Sequence, residues 1–272
     1  MKRNSQFFSL GLVLALAAMV LLPILWGLLL SLKTRVDALA IPPLWRFSPT
    51  LENYRATFVK GRELGAFFNS LLIAGASSAL SMTVSIPAAY SFSRFQFKAR
   101  RGTLLALLGM RMIPATVVAL PLFLIFAKTQ LLDTFIGISL VHAALACPVA
   151  IWLLKLFFDD VPTAIDDASR IDGNGWGGVL WCQILPVTVS GVILTAAFCF
   201  INSWNELFLS LVLTGARTTP LSVAVPALIT PHGTYWGRVT AISTIGLLPA
   251  TVFIVLARKL VTFGRGEGAV WK

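Results

Sequence analysis

The sequence contains six long apolar runs, and these constrain the fold more than any other feature. They cover about 7–32, 68–93, 102–127, 134–156, 186–213 and 239–260. Each run has close to the roughly 20 residues that an α-helix needs to cross a bilayer. Only 12% of the 272 residues are charged, about half of what a soluble domain carries. The sequence therefore predicts an all-α membrane protein with six transmembrane helices.

The first run could be mistaken for an export signal. It follows Lys2 and Arg3, and Ala15-Leu16-Ala17 fits a cleavage pattern. However, the apolar stretch continues to Leu32, well beyond the roughly 7–15-residue core of a signal peptide. We therefore predict that the first helix is retained.

Basic residues collect before the first run, between the second and third runs, and after the sixth run. They are Lys2, Arg3, Arg94, Lys98, Arg100, Arg101, Arg258, Lys259, Arg265 and Lys272. With six spans these segments share one side of the membrane, which the positive-inside rule identifies as the cytoplasm. We predict a multi-pass protein of the cytoplasmic membrane with both termini in the cytoplasm. The net charge of +11, distributed in this way, argues against nucleic-acid binding.

Two further segments take their side from this topology. Residues 155–185 lie in the cytoplasm. The loop from Lys33 to Glu63 lies outside although it holds six basic residues, and we interpret it as a solvated, folded loop.

Residues 159–173 have the pattern of a short amphipathic helix within the cytoplasmic segment. Asp159 or Asp160 can cap its start, and Pro162 fits its first turn. Gly173 can adopt the left-handed conformation that ends a helix. An apolar stripe recurs at i, i+3 and i+6 along this helix: Ile165, Ala168 and Ile171.

The acids of this helix, Asp166 and Asp167, lie off the apolar stripe. Asp167 and Arg170 have the i, i+3 spacing of a local ion pair. The pattern alone allows an ordinary surface helix between two spans, or a docking element for a soluble cytoplasmic partner.

An enzyme is the main alternative from another functional class. Asp166, Asp167 and Asp172 loosely resemble the Asp-rich motif with which membrane prenyltransferases hold magnesium and diphosphate. Such an enzyme needs a second Asp-rich cluster, and no other cytoplasmic loop supplies one. A secondary transporter is a further alternative, but the sequence has no internal repeat of the kind common in such proteins.

The cysteines and histidines do not predict a catalytic or metal site. Cys147, Cys182 and Cys199 have no paired spacing, and we interpret them as packing residues. His142 and His232 lie far apart in the sequence with no acid near either. A Ser-His-Asp site or a zinc site is therefore not expected.

A specific resemblance rests on Asp167-Ala168-Ser169, Asp172-Gly173 and Ile184-Leu185-Pro186. This pattern is similar to the EAA loop of ABC importer permeases, in which Glu-Ala-Ala is followed by three residues and then Gly, with Leu-Pro further along. The spacing is kept, while Asp167 replaces the usual Glu and Ser169 the second Ala. Further similar stretches are PTLENYRATF (49–58), NSLLIAGASSALSMTVSIPAAYSFSRFQF (69–97), MIPATVVALPLFL (112–124), NSWNELFLSLVLT (202–214) and GRGEGAV (264–270).

Together these stretches resemble the maltose-transporter type of carbohydrate permease over nearly the whole chain. The tail departs at Trp271-Lys272, where family members often have Lys-Gly. The resemblance implies one transmembrane permease domain over 1–272 with a cytoplasmic EAA-like coupling loop at 159–178, a transport subunit and not an enzyme. The implied ATPase-coupling residues are Asp167, Ala168, Ser169, Arg170, Asp172 and Gly173.

The resemblance also implies partners. These are a second permease subunit, a dimer of cytoplasmic ATP-binding subunits, an extracytoplasmic sugar-binding protein, membrane lipid and a sugar or related polyol. ATP and magnesium are expected on the partner ATPase, and no cofactor is expected on this chain. The segment 214–238 is expected to be an outward loop that touches the sugar-binding protein.

Charged residues within the apolar runs are candidates for the substrate path. Glu206 lies about 20 residues into the fifth run, roughly 30 Å along a helix. The stretch around it offers amides and an aromatic ring, and its candidate path residues are Asn202, Trp204, Asn205 and Glu206. An interfacial position for Glu206 is the alternative. Arg111, about nine residues into the third run, either extends its charge to the interface or faces the partner permease.

Overall fold

The structure is a computed structural model that describes residues 2–61, 63–230 and 233–267. It is mostly helical. Its α-helices are α1 Lys2–Ser31, α2 Arg35–Ala38, α3 Glu52–Arg55, α4 Glu63–Arg94, α5 Arg100–Met110, α6 Ala115–Lys128, α7 Phe135–Asp159, α8 Thr163–Ile171, α9 Trp176–Gly178, α10 Leu185–Val187, α11 Val189–Trp204, α12 Phe208–Leu213, α13 Leu221–Ala224 and α14 Trp236–Glu267. His232 and the tail residues Trp271 and Lys272 lie outside the described residues.

Shorter elements complete the described chain. Two π-helical turns cover Ala56–Lys60 and Val179–Ile184, and a 3-10 turn covers Pro226–Leu228. Two strands of two residues each, β1 Ile229–Thr230 and β2 Gly233–Thr234, pair antiparallel. This small hairpin is the one departure from the predicted all-α class in the described part of the chain.

Among the described residues, three helical segments are long and apolar enough to cross a membrane by themselves: Gly11–Ser31, Glu63–Arg94 and Phe135–Asp159. Two bent helix pairs raise the number of candidate spans to five if each pair counts as one. Helix α14 occupies the sixth apolar run. The prediction of a helical membrane protein is thus confirmed, and the count of six crossings stays a prediction.

The third and fifth apolar runs are not the uninterrupted helices that the sequence predicted over 102–127 and 186–213. Helices α5 and α6 meet at 85°, and the segments Trp176–Val187 and Val189–Trp204 meet at 87°. A proline accompanies each bend, Pro114 directly before α6 and Pro186 two residues before Thr188. Pro114 explains the first bend, because proline disfavours helical geometry in the residue before it. Pro186 lies within α10 after a helical Leu185, and it weakens the helix there only by its missing N–H.

The fifth run breaks a second time, between α11 and α12. The Asn205 side-chain amide donates to the Ile201 carbonyl at 3.0 Å. Glu206 accepts from backbone amides of α12 instead of continuing α11. Side chains that bond nearby backbone groups compete with helical hydrogen bonds. Glu206 therefore lies at a break, and the predicted position 30 Å along one continuous helix is wrong.

The described chain forms two compact units. The first comprises the described residues of Met1–Gly65 and Ala224–Pro249, and the second those of Ala66–Val223 and Ala250–Lys272. The prediction of one domain over 1–272 stays a prediction.

In the first unit, the predicted loop from Lys33 to Glu63 is folded. The Asn53 side-chain amide donates to the carbonyls of Ser31 (2.9 Å) and Lys33 (2.8 Å). Lys33 is buried, and its ammonium donates to the Leu44 carbonyl at 2.6 Å. This buried ammonium differs from the predicted solvated loop charges, because it donates to a carbonyl of the loop and lies over the rings of Trp26 and Phe47.

In the second unit, α7 packs along α11 around one apolar core. Gly191 of α11 lies directly against the Phe157 ring, where a Cβ would come within 2.2 Å of the ring. Small residues allow such close approach between helices in a membrane. The largest buried side chains of this core include Leu154, Phe158 and Ile184.

Asp133, between α6 and α7, fastens the beginning of the predicted outward loop. Its carboxylate accepts four hydrogen bonds: from the backbone amides of Gly215 (2.8 Å), Arg217 (3.1 Å) and Thr218 (2.9 Å), and from the Thr218 hydroxyl (2.6 Å). Burial by itself raises the pKa of Asp133, but these hydrogen bonds outweigh it and hold the pKa below its ordinary value. The carboxylate is therefore ionised throughout the neutral range.

We expect Asp133→Asn to loosen this loop. Hydrogen bonds to a charged acceptor contribute about 1.5–3 kcal/mol each, so the loop should open at least roughly tenfold more often. Arg217 is exposed, and the rate of trypsin cleavage after it, relative to cleavage after exposed Arg46, measures the opening.

The pH dependence follows from the lowered pKa. The stabilisation is present above the unfolded-state pKa of about 3.9 and is lost only as pH falls through the still lower folded-state pKa. Wild-type protection should therefore stay constant from pH 8 to pH 6. Equal cleavage of the variant and the wild type at pH 8 would contradict the role of Asp133.

Candidate functional site

The cytoplasmic loop predicted at 159–178 contains helix α8, which begins later than the sequence indicated. Asp159 ends α7, and the residue before α8 is Pro162, with no side-chain cap. The predicted cap by Asp159 or Asp160 is therefore wrong, because α7 extends further than the apolar run. The predicted stop is present: Gly173 has φ +90°, and the Asn174 amide donates to the Ser169 carbonyl at 3.1 Å.

Asp166 is the inward-facing residue of α8. It is only 3% exposed, and its Oδ1 accepts from the Tyr90 hydroxyl at 2.8 Å and from Arg94 Nε at 3.1 Å. Arg94 Nη2 lies 3.0 Å from Asp166 Oδ2 and donates to the Val161 carbonyl at 3.0 Å. This buried ion pair connects α8 to the last turn of α4.

Ser169, one turn beyond Asp166, is also buried, so the inner face of α8 is polar. Only the first residue of the predicted apolar stripe is partly buried: Ile165 packs against the apolar core, while Ala168 is exposed and Ile171 is 86% exposed. The stripe failed as a guide to burial because α8 lies beside the polar end of α4, where Arg94 requires an anion.

The other predicted coupling residues lie on the outer face. Asp167, Arg170 and Asp172 are exposed. Among the described residues Asp167 has no ion pair, and the Arg170 guanidinium lies over the Trp176 ring, 4.2 Å from its centroid. The predicted local pair of Asp167 and Arg170 is replaced by this cation–π contact.

An apolar groove runs beside the outer face of α8. It has a volume of about 690 Å³, and its lining includes Pro162, Ile165, Ala168 and Val187. The exposed acids of α8 therefore stand next to apolar surface. An apolar centre surrounded by a polar rim is typical of protein–protein interfaces, and the groove with its neighbouring acids has this arrangement.

Glu206 is the centre of a second polar cluster, at the break between α11 and α12. Its Oε1 accepts from the Leu209 amide and its Oε2 from the Ser210 amide, each at 2.9 Å. Oε2 also accepts from the Ser210 hydroxyl at 3.0 Å and lies 3.3 Å from His142 Nε2. The carboxylate thereby satisfies the first amides of α12 from within the protein.

His142 was not predicted as a functional residue, since no acid lies near it in the sequence. In the structure it is buried, its Nδ1 lies 2.7 Å from the Ser203 hydroxyl, and it joins α7 to Glu206. A sequence signal exists, because a histidine inside a spanning helix needs a polar partner. The identity of that partner depends on tertiary packing.

An open groove of about 570 Å³ lies beside Glu206. Three of the four predicted path residues, Asn202, Asn205 and Glu206, line it together with Arg111. Trp204 does not: its ring stacks on Phe200 at 5.8 Å and packs edge-on against Phe67.

Arg111 lies at the bend between α5 and α6. Its Nη1 donates to the Leu145 carbonyl of α7 at 2.9 Å. The groove thus combines amide groups, one guanidinium and the edge of a carboxylate, which are groups that hydrogen-bond hydroxyls. Among the described residues no three His, Cys, Asp or Glu side chains cluster as metal ligands.

Comparison with known proteins identifies relatives over nearly the whole length of the chain. No protein-family model matches it. The sulfoquinovosyl glycerol transport system permease protein SmoH of Agrobacterium fabrum is 30% identical over 279 residues, covering 98% of this chain and 96% of the relative. The trehalose transport system permease protein SugB of Mycobacterium tuberculosis is 30% identical over 256 residues, covering 92% of each.

A solved structure supports the same fold. A chain of a bacterial ABC transporter involved in the import of the acidic polysaccharide alginate superposes with a TM-score of 0.78. The match covers 94% of this chain and 96% of that chain at 20% identity. The sequence relatives, with the fold in agreement, identify the chain as a member of the maltose-transporter-like, carbohydrate-transporting family of ABC importer permeases.

Proposed function

We propose that this chain is one permease subunit of an ATP-driven importer that moves a sugar or related polyol across the cytoplasmic membrane. The observation that carries the proposal is helix α8, which is fastened to α4 on its inner face and offers exposed acids beside an apolar groove on its outer face. The relatives SmoH and SugB are named as permeases of transport systems for sulfoquinovosyl glycerol and for trehalose. We further propose six crossings with both termini in the cytoplasm.

The proposed partner of the outer face of α8 is a dimer of cytoplasmic ATP-binding subunits, which holds ATP and magnesium. Asp167 would meet a basic residue of that subunit, while Ala168 would let the two surfaces approach closely. Ile171 would add apolar contact, since it is 86% exposed on α8 itself. A rigid helix seated on a partner transfers rigid-body motion between domains.

On the opposite side, the proposed partner is an extracytoplasmic sugar-binding protein that contacts the segment 214–238. Asp133 fixes the beginning of this segment. Asn69 supports it through hydrogen bonds to the carbonyls of Arg217 (3.2 Å) and Thr219 (3.0 Å). A docking surface with a fixed start loses less conformational entropy on binding than a mobile loop would.

The proposed path for the sugar runs along the groove of Asn202, Asn205, Glu206 and Arg111. A second permease subunit would close its open side. Nothing favours the prenyltransferase alternative: Asp166 pairs inward with Arg94 while Asp167 and Asp172 are exposed, so these acids do not converge on one metal site.

We expect Asp167→Lys to weaken ATPase binding. Like charges at an interface can cost several kcal/mol, enough to lower occupancy more than tenfold. Gly173→Val should act through the backbone, because a β-branched residue is strained at φ +90°. Detergent pull-down of the ATPase and ATP-driven sugar uptake in vesicles measure both variants. Full ATPase binding and full uptake by both would refute the docking role.

The inward face of α8 gives a separate prediction. Asp166→Ala leaves Arg94 as an uncompensated buried charge, which costs about 3–5 kcal/mol. Tyr90→Phe removes one of the hydrogen bonds to this carboxylate while leaving the ion pair, and should cost less, about 1.5–3 kcal/mol. Amide hydrogen exchange over 163–171 should rise strongly in the first variant and less in the second. Ser91→Ala, which removes a hydroxyl that bonds only within α4, is the matched control. Unchanged exchange in Asp166→Ala would contradict the fastening.

Glu206→Gln should slow transport while leaving the complex assembled. Glutamine keeps an acceptor for one α12 amide but loses the charged acceptor shared by Ser210 and His142. At about 1.5–3 kcal/mol per charged hydrogen bond, uptake should fall roughly tenfold or more. Initial uptake rates over a range of sugar concentrations check this, with exposed Glu52→Gln as the control. Normal uptake at every sugar concentration would show that Glu206 has a purely structural role.

A further inference from the structure

The groove between the α5–α6 bend and α11 contains a base, Arg111, whose charge is not paired by any acid among the described residues. Its acid, Glu206, has both oxygens engaged by α12 amides and faces His142. The Leu145 carbonyl takes one N–H of the guanidinium, and its other donors are open to the groove.

Arg111 meets α7 near the middle of that helix. Leu145 lies 10 residues after Phe135, about 15 Å along a helix, and 14 residues before Asp159, about 21 Å along it. The hydrocarbon core of a bilayer is about 30 Å thick. The guanidinium is therefore held at a depth where an unpaired charge is costly and marks a functional site.

The start of α6 adds a second source of positive potential. Pro114 and Ala115 line the groove, and no side chain caps this 14-residue helix. The N-terminus of a helix carries a partial positive charge. Broken helices in transporters place such ends near the membrane midplane, where they face anionic groups of the substrate.

We propose that the substrate of this permease is an anionic sugar, one that carries a carboxylate or sulfonate, and that Arg111 binds this group. The inference rests on the proposed function, because it assigns the charge of the substrate carried along the same groove. Arg111 and the start of α6 contact the anion. The Asn202 side-chain amide has no hydrogen-bond partner among the described residues. This amide and the side-chain oxygen of Asn205 bind hydroxyls of the sugar.

A neutral sugar fits this groove less well. When the groove closes around a neutral substrate, the guanidinium loses water and gains no counter-charge. Burying a charge is costly unless it is paired and hydrogen-bonded. An anionic group pairs the guanidinium directly and offers the bidentate geometry that guanidinium prefers.

The test uses the full transporter, with this chain, its second permease, the ATPase dimer and the sugar-binding protein, in proteoliposomes. The probes are sulfoquinovosyl glycerol, a glucuronate-containing disaccharide and neutral trehalose, each radiolabelled. The variants are Arg111→Gln and Arg111→Lys. Arg101→Gln, which removes one exposed positive charge outside the groove, is the control. Co-purification of the second permease is measured for every variant.

We expect wild-type uptake of at least one anionic probe in preference to trehalose. Arg111→Gln should lower that uptake at least tenfold with the complex intact, Arg111→Lys should lower it less, and Arg101→Gln should leave it unchanged. Uptake of trehalose alone would overturn the anionic assignment and leave the proposed function standing. If the second permease does not co-purify with the Arg111→Gln variant, Arg111 is an interface residue, and the anionic assignment is overturned as well. Wild-type uptake of none of the probes would count against both proposals.

Discussion

A bilayer offers no water to a backbone amide, so every break in a spanning helix has to be satisfied from inside the protein. The two breaks beside the groove occur where a side chain accepts the freed backbone amides or where a proline has no amide to satisfy. At residues 205–207 the Glu206 carboxylate receives the Leu209 and Ser210 amides that α12 would otherwise leave unpaired. At the bend before α6, Pro114 has no amide to satisfy, and Arg111 bonds across to α7. The groove exists because both breaks open toward the same space.

The same constraint explains how the chain uses its few acids. Asp133 and Asp166 accept from segments far away in the sequence, the segment 215–218 and α4, while Glu206 joins the nearby amides of α12 to His142 of α7. A carboxylate accepts several hydrogen bonds at once, and each is stronger than a bond between neutral groups. A single acid can therefore hold a loop or a helix end where an apolar contact would allow sliding. The acids that remain exposed, such as Asp167, are available to other proteins.

The sequence predicted those parts of the structure that depend on local composition. Apolar runs located the helices, and Gly173 marked a helix end because few other residues adopt its positive φ. Composition could not predict the bends at Pro114 and Thr188, since the residues on both sides remain apolar. The pairing of His142 with Glu206 was missed because it joins residues 64 positions apart, a consequence of packing α7 on α11. The orientation of α8 is set by the ion pair of Asp166 with Arg94, and not by its stripe of three apolar residues, so Asp166 faces inward.

The contacts also define a continuous connection from α8 to the groove. Asp166 bonds Tyr90, and the Tyr90 ring packs edge-on against Phe158 of α7 at 6.4 Å. From Phe158 to Leu145 the connection is α7 itself, 13 residues or about 20 Å of one helix. Leu145 then bonds Arg111 in the groove. Because packed cores deform little, we expect a displacement imposed on the outer face of α8 to follow these contacts toward Arg111, with Pro148 the point of α7 on this route that lacks a helical N–H. The bends beside the groove are the places where that displacement can be released.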